Sequence, residues 1–91
     1  MVDEGTSTTM LKAAAKTVLE RGNTYGDPHT DMSRIAALWS VLLGVEILPT
    51  QVPMCMIAVK LSRLVNSPDH GDSTVDIAGY AAVLKECQEK A

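Results

Sequence analysis

Asp72-Ser-Thr-Val-Asp-Ile-Ala-Gly-Tyr-Ala-Ala-Val-Leu-Lys-Glu-Cys-Gln-Glu89 is the stretch whose reading decides the fold. Between Ser73 and Lys85 its only charge is Asp76. At helical spacing, Ile77, Ala81 and Leu84 form one apolar line, and Tyr80, Val83 and Cys87 form another. A helix that is apolar nearly all round must be enclosed by other elements. The stretch is therefore read as the last and most buried helix of a bundle, capped by Asp72 or Ser73 and running to about Glu89.

Upstream, Asn66-Ser-Pro-Asp-His-Gly71 breaks the chain. Before it, Thr50 is the expected cap of a third helix that reaches about Val65. Pro53 falls in its first turn, where a missing N–H is harmless. Its expected core stripe is Met54, Ile57, Ala58, Leu61 and Leu64. A second helix, capped by Thr30 or Asp31, is expected to end before Gly44, with Met32, Ile35, Trp39 and Leu42 on one face. A first helix is expected from Thr6 or Ser7 to about Arg21, with Met10, Ala14 and Val18 flanked by Leu11 and Ala15. Gly22-Asn23 supplies its stop signal. The organisation is then a frayed N-terminus over residues 1–6 and a single helical domain over 7–91. The fold class is all-α, a four-helix bundle with short links.

Composition agrees. The chain has 91 residues, one Trp, two Tyr and no Phe, which favours helix over sheet. Its net charge is −3 and it carries no basic run, so binding to a nucleic-acid backbone is not expected. No apolar run is long enough to cross a bilayer. The opening Met1-Val-Asp-Glu-Gly5 does not read as a targeting segment, so a cytoplasmic location is expected. Cys55 and Cys87 lie in apolar stretches and read as reduced core residues. So small a core, with so apolar a last helix, points to a homo-oligomer.

The residues that could carry chemistry fall into two groups. Asp76, a lone carboxylate on an apolar helix, needs a partner or a metal. Asp72 lies one turn before it and Tyr80 one turn after. Lys60 and Arg63 share a face of the preceding helix, which a short loop makes an antiparallel neighbour. They are the expected partners, and a cation left pointing outward would grip a phosphate. Gly79 is expected to admit another backbone closely.

The second group is Arg21, Tyr25, Asp27 and His29. Here Tyr and Arg could hold a base between them, and Asp and His could act as acid and base or bind metal. The bland alternative is a capped turn with a packed tyrosine. His29, His70, Asp69 and Asp72 match no strong metal-ligand spacing, so no metal and no cofactor are assigned.

With these residues assembled, the chain resembles a family of small uncharacterised proteins encoded by tailed phages, notably those of actinobacteria. Four segments carry the resemblance: Arg21-Gly-Asn-Thr-Tyr-Gly-Asp27, Ile35-Ala-Ala-Leu-Trp39, Lys60-Leu-Ser-Arg63 and Asp72-Ser-Thr-Val-Asp-Ile-Ala-Gly-Tyr80. A more distant similarity is to the MazG-like all-α nucleoside triphosphate pyrophosphohydrolases. Their helix–loop–helix holds Mg²⁺ on an EExxE and an ExxD pattern, and Asp76 falls where the last Asp would lie. Val59, Lys60 and Arg63 stand where the three glutamates would be, and Ser73 where the ExxD glutamate would be. Cations there would repel a divalent ion.

The resemblances imply a phage accessory protein with a MazG-like helical core, working in the host cytoplasm. It would bind a nucleotide or other phosphorylated small molecule without hydrolysing it. Lys60 and Arg63 would contact phosphate, Tyr25 would stack, and Asp72 and Asp76 would hold the cations. Two alternatives stay open. One is a protein that binds a host protein or sequesters a defence signalling nucleotide. The other is a pyrophosphohydrolase with metal held by Asp27, Asp72 and Asp76.

Overall fold

The computed structural model describes residues 4–90 and is helical between short links. A π-helical turn, Glu4–Thr8, leads directly into α1, Thr9–Tyr25. Then follow α2, Pro28–Leu43; α3, Gln51–Asn66; and α4, Gly71–Glu89. The fraying expected over residues 1–6 is therefore not seen at residues 4–6, and residues 1–3 lie outside the described part.

Each link has a local cause. α1 continues a full turn past the expected stop at Gly22-Asn23. It ends at Gly26, whose φ of 85° lies where side-chain-bearing residues are rarely found, and whose N–H returns to the Gly22 carbonyl at 2.9 Å. The α2 cap is Asp27, not Thr30 or Asp31. Its Oδ2 accepts from the Thr30 N–H at 3.0 Å and from the Thr30 hydroxyl at 3.2 Å. Pro28 then takes the first helical position, where its fixed φ suits the helix. Gly44 closes α2 in the left-handed conformation, as expected.

In the α2–α3 link, the Ser40 hydroxyl donates to the Ala36 carbonyl at 2.7 Å and accepts the Ile47 N–H at 2.9 Å. Thr50 precedes α3 but makes no side-chain cap. α4 starts two or three residues earlier than expected, behind His70. The His70 ring Nδ1 lies 2.9 Å from the hydroxyl of Ser73, which is fully buried.

α4 is the centre of the bundle and packs against α1, α2 and α3, as its all-round apolar character requires. The core gathers Met32 and Ala36 of α2, Val52 of α3 and Cys87 of α4, with Ile35, Trp39, Ile47 and Val83 packed on it. Burial pushes the Cys87 thiol above its usual range. Ala14 is the buried residue of α1, with Met10 and Val18 half-buried beside it.

Several expected core positions face outward instead. Leu11, Leu42, Met54, Leu61 and Cys55 are exposed, as are Ala15, Ala58 and Ala81. On α3 the inward face is Val52, Pro53, Met56, Ile57, Lys60 and Leu64. That helix is apolar on both sides, so its residue pattern alone does not say which side turns in.

Candidate functional site

Around α4, members of both groups of candidate residues meet: Arg21 and Tyr25 of one, Asp76 and Tyr80 of the other. A pocket between α1, the start of α2 and α4 is lined by Arg21, Tyr25, Asp31, Asp76, Gly79 and Tyr80, with Val18 and Met32 as apolar wall. The space available to the centres of water molecules is about 40 Å³. That exceeds the minimum for one water. Arg21 and Tyr25 are both exposed and form the rim.

The position of Arg21 defines this site. Its guanidinium carbon lies 5.4 Å from the Tyr25 ring centre and 5.6 Å from that of Tyr80. Tyr25 is one turn on along α1, and Tyr80 comes from the middle of α4. Two ring faces attract one cation while leaving its N–H edges available for planar, forked hydrogen bonds.

The carboxylates of the pocket have their own cations. Asp76 Oδ2 lies 3.2 Å from Lys60 Nζ; the two side chains keep 29% and 14% of their exposure respectively. The pairing of Asp76 across the α3–α4 seam is thus present, and it is only partly buried. Asp31 Oδ1 lies 3.7 Å from Arg34. Among the described residues no carboxylate lies within ion-pair distance of Arg21, whose guanidinium faces the two tyrosine rings instead.

The remaining candidates lie elsewhere. Arg63 is exposed, and no carboxylate among the described residues lies within ion-pair distance of it. Asp72 is exposed in the first turn of α4 and likewise unpaired. Neither lines the pocket. The closed network of two cations and two carboxylates reduces to the single Lys60–Asp76 pair.

Asp27 caps α2 and pairs with Lys90 at 2.8 Å. The Lys90 hydrogen bond, together with the Thr30 N–H, holds its carboxyl below the usual value of 3.8. This is the geometry of a capped turn. His29 is half-buried outside the pocket. Among the described residues no three His, Cys, Asp or Glu side chains gather to hold a metal, so Asp27, Asp72 and Asp76 do not form a ligand set.

Gly79 is buried against α1, but a Cβ there would meet only the Val18 side chain, at 3.6 Å, which is ordinary contact. The expected backbone approach is absent. Sequence reasoning passed over Asp31 as a pocket residue. From the sequence it reads only as a possible cap of α2.

Fold and pocket together define a small all-helical domain with an aromatic-rimmed pocket that holds one arginine and two aspartates. The sequence matches the model of the Domain of unknown function (DUF6378) over residues 9–88, and the chain belongs to that family. It is similar to the Gene 55 protein of Mycobacterium phage L5, at 43% identity over 70 residues, 76% of this chain and 45% of that protein. It is also similar to the Gene 55 protein of Mycobacterium phage D29, at 37% identity over 71 residues, 78% of this chain and 47% of that one. The family is thus one of phage proteins, and this chain spans about half the length of the curated relatives it matches. No solved structure matches it. No helix among the described residues is long and apolar enough to cross a membrane.

Proposed function

We propose that the pocket between α1, α2 and α4 binds a planar phosphorylated small molecule, a nucleotide in the first instance, without metal-dependent hydrolysis. One observation carries this reading. Of the charges at the pocket, both carboxylates have their own cations, and Arg21 is left over between two aromatic rings. A guanidinium so placed suits an anionic oxygen pair. The tyrosine faces suit a planar ring.

The reading differs from the sequence expectation in its cation. Arg21 takes the phosphate role first given to Lys60 and Arg63, because Lys60 serves Asp76 and Arg63 lies away from the pocket. The present pocket admits only part of a nucleotide, so Tyr25, exposed at the end of α1, would swing outward on binding. A MazG-like helical core and a host-protein partner are the alternative proposals. For hydrolysis of the MazG kind, the assembled metal ligands are missing among the described residues.

The test is a thermal-shift screen of nucleoside mono- and triphosphates, cyclic dinucleotides and inorganic phosphate, with and without Mg²⁺. Ligand at a hundred times its dissociation constant stabilises by about 2.7 kcal/mol. In a domain this small that is a rise of about 10 °C or more. Arg21→Ala is expected to remove the rise, and no pyrophosphate is expected from any triphosphate. A rise that survives Arg21→Ala, or no rise with any of these ligands at millimolar concentration, refutes the pocket reading.

A further inference from the structure

The face of α3 turned away from α4 carries Met54, Ala58, Leu61 and Val65, at spacings of four, three and four residues. All four are exposed; Met54 keeps 49%, Leu61 52% and Val65 84% of its surface. Cys55, Val59 and Ser62 flank them, also exposed, and none of these seven side chains is charged. The charges of α3 lie elsewhere on the helix: Lys60 turns in to Asp76, and Arg63 lies beside the inward face. A helix face bathed in water ordinarily carries charge. A stripe at this alternating spacing is the pattern with which one helix packs along another.

The size of the molecule says how much is uncovered. Its accessible surface is 6197 Å². A compact folded monomer of 9.7 kDa has about 5,100 Å². The surplus of about 1,000 Å², which this face shares with the exposed Leu38, Val41 and Leu42 of α2, is of the order of the roughly 800 Å² that each partner of a standard protein–protein interface buries. The bundle is also drawn out, at 50 × 29 × 21 Å. Its radius of gyration of 14.4 Å exceeds the roughly 12 Å of a compact domain of this length.

We infer that this face of α3 is the interface with a second copy of the chain, two α3 helices pairing about a twofold axis with Leu61 and Ala58 at the seam. An uncharged, self-similar stripe suits an isologous contact, in which the same patch serves both partners. A partner recognised by charge would find nothing on this face to pair with. The pocket opens on the other side of α4, between α1 and α2, so the pairing leaves it accessible.

Light scattering of the intact chain at tens of micromolar is expected to report twice the 9.7 kDa chain mass. Leu61→Glu and Ala58→Glu are each expected to halve that mass with unchanged helical circular dichroism, because both side chains are already at the surface. Leu19→Glu, on an exposed face of α1, is the control and is expected to stay at the wild-type mass. A monomeric wild-type chain overturns the inference. So does a dimer that survives both α3 variants, or one that only Leu42→Glu on α2 dissociates.

Discussion

At the scale of single residues, the Lys60–Asp76 pair carries the clearest energetic consequence. It joins the central helix to α3, with Lys60 the more enclosed of the two. Removing the carboxylate strands an ammonium group that is mostly out of water. Asp76→Ala is therefore expected to cost about 1–3 kcal/mol, between the values for exposed and fully buried pairs. The pair falls short of full burial because Asp76 opens onto the pocket. The fall in Tm should be at least about 4 °C in a domain this small. Adding Lys60→Met should recover most of it, since the stranded charge is then gone. An unchanged Tm for the single variant would mean that the pair does not hold the seam.

At the scale of elements, the helices were legible because each has a strong local signal. Gly44, Pro53 and the Asn66–Gly71 break all mark boundaries close to where the structure puts them. Two boundaries were misread for one reason. Gly22-Asn23 looks like a stop, but Gly26 four residues on is the position where a positive φ is required, so the helix runs to it. Thr30 and Asp31 look like caps, but Asp27 before Pro28 caps one turn earlier. The site was legible in parts. Lys60 with Asp76, and Arg21 with Tyr25, follow from helical spacing and a short loop. The meeting of Arg21 with Tyr80 does not, because it depends on how α1 lies across α4, and no local pattern encodes that. Burial on α3 was misjudged because both of its faces are apolar.

The α1–α2 link is tied to the far end of α4 by Asp27 and Lys90, 63 residues apart. The lysine holds the Asp27 carboxyl below its usual 3.8, and the carboxylate, by the same hydrogen bond, holds the ammonium above its usual 10.5. The signs follow. The contribution of Asp27 is present above its unfolded value and is lost as the pH falls through the lower folded one. That of Lys90 is present below its unfolded value and is lost as the pH rises through the higher folded one. The tie is thus complete at neutral pH and fails at both extremes. In an NMR titration the Asp27 carboxyl should change charge at lower pH than an unstructured aspartate. Lys90→Ala should move it back toward 3.8. A midpoint unaffected by Lys90→Ala would show that the capping bond to Thr30 alone sets it.

At the scale of the whole molecule, the pairing inferred for α3 predicts that stability depends on concentration. A pairing through α3 links folding to association, so Tm is expected to climb as protein is added, and the climb should vanish in Leu61→Glu. A Tm independent of concentration in the wild type would separate folding from assembly.

The sparse aromatics have an optical consequence. Trp39, the chain's only tryptophan, packs on the core. Both tyrosines lie at the pocket, against one guanidinium, and there is no phenylalanine. The native chromophores therefore divide between the core and the candidate pocket. Red-edge excitation should select the indole and follow melting, while near-ultraviolet difference absorbance of the phenols should follow occupancy. One unlabelled sample thus carries two separate dials, one for integrity and one for saturation.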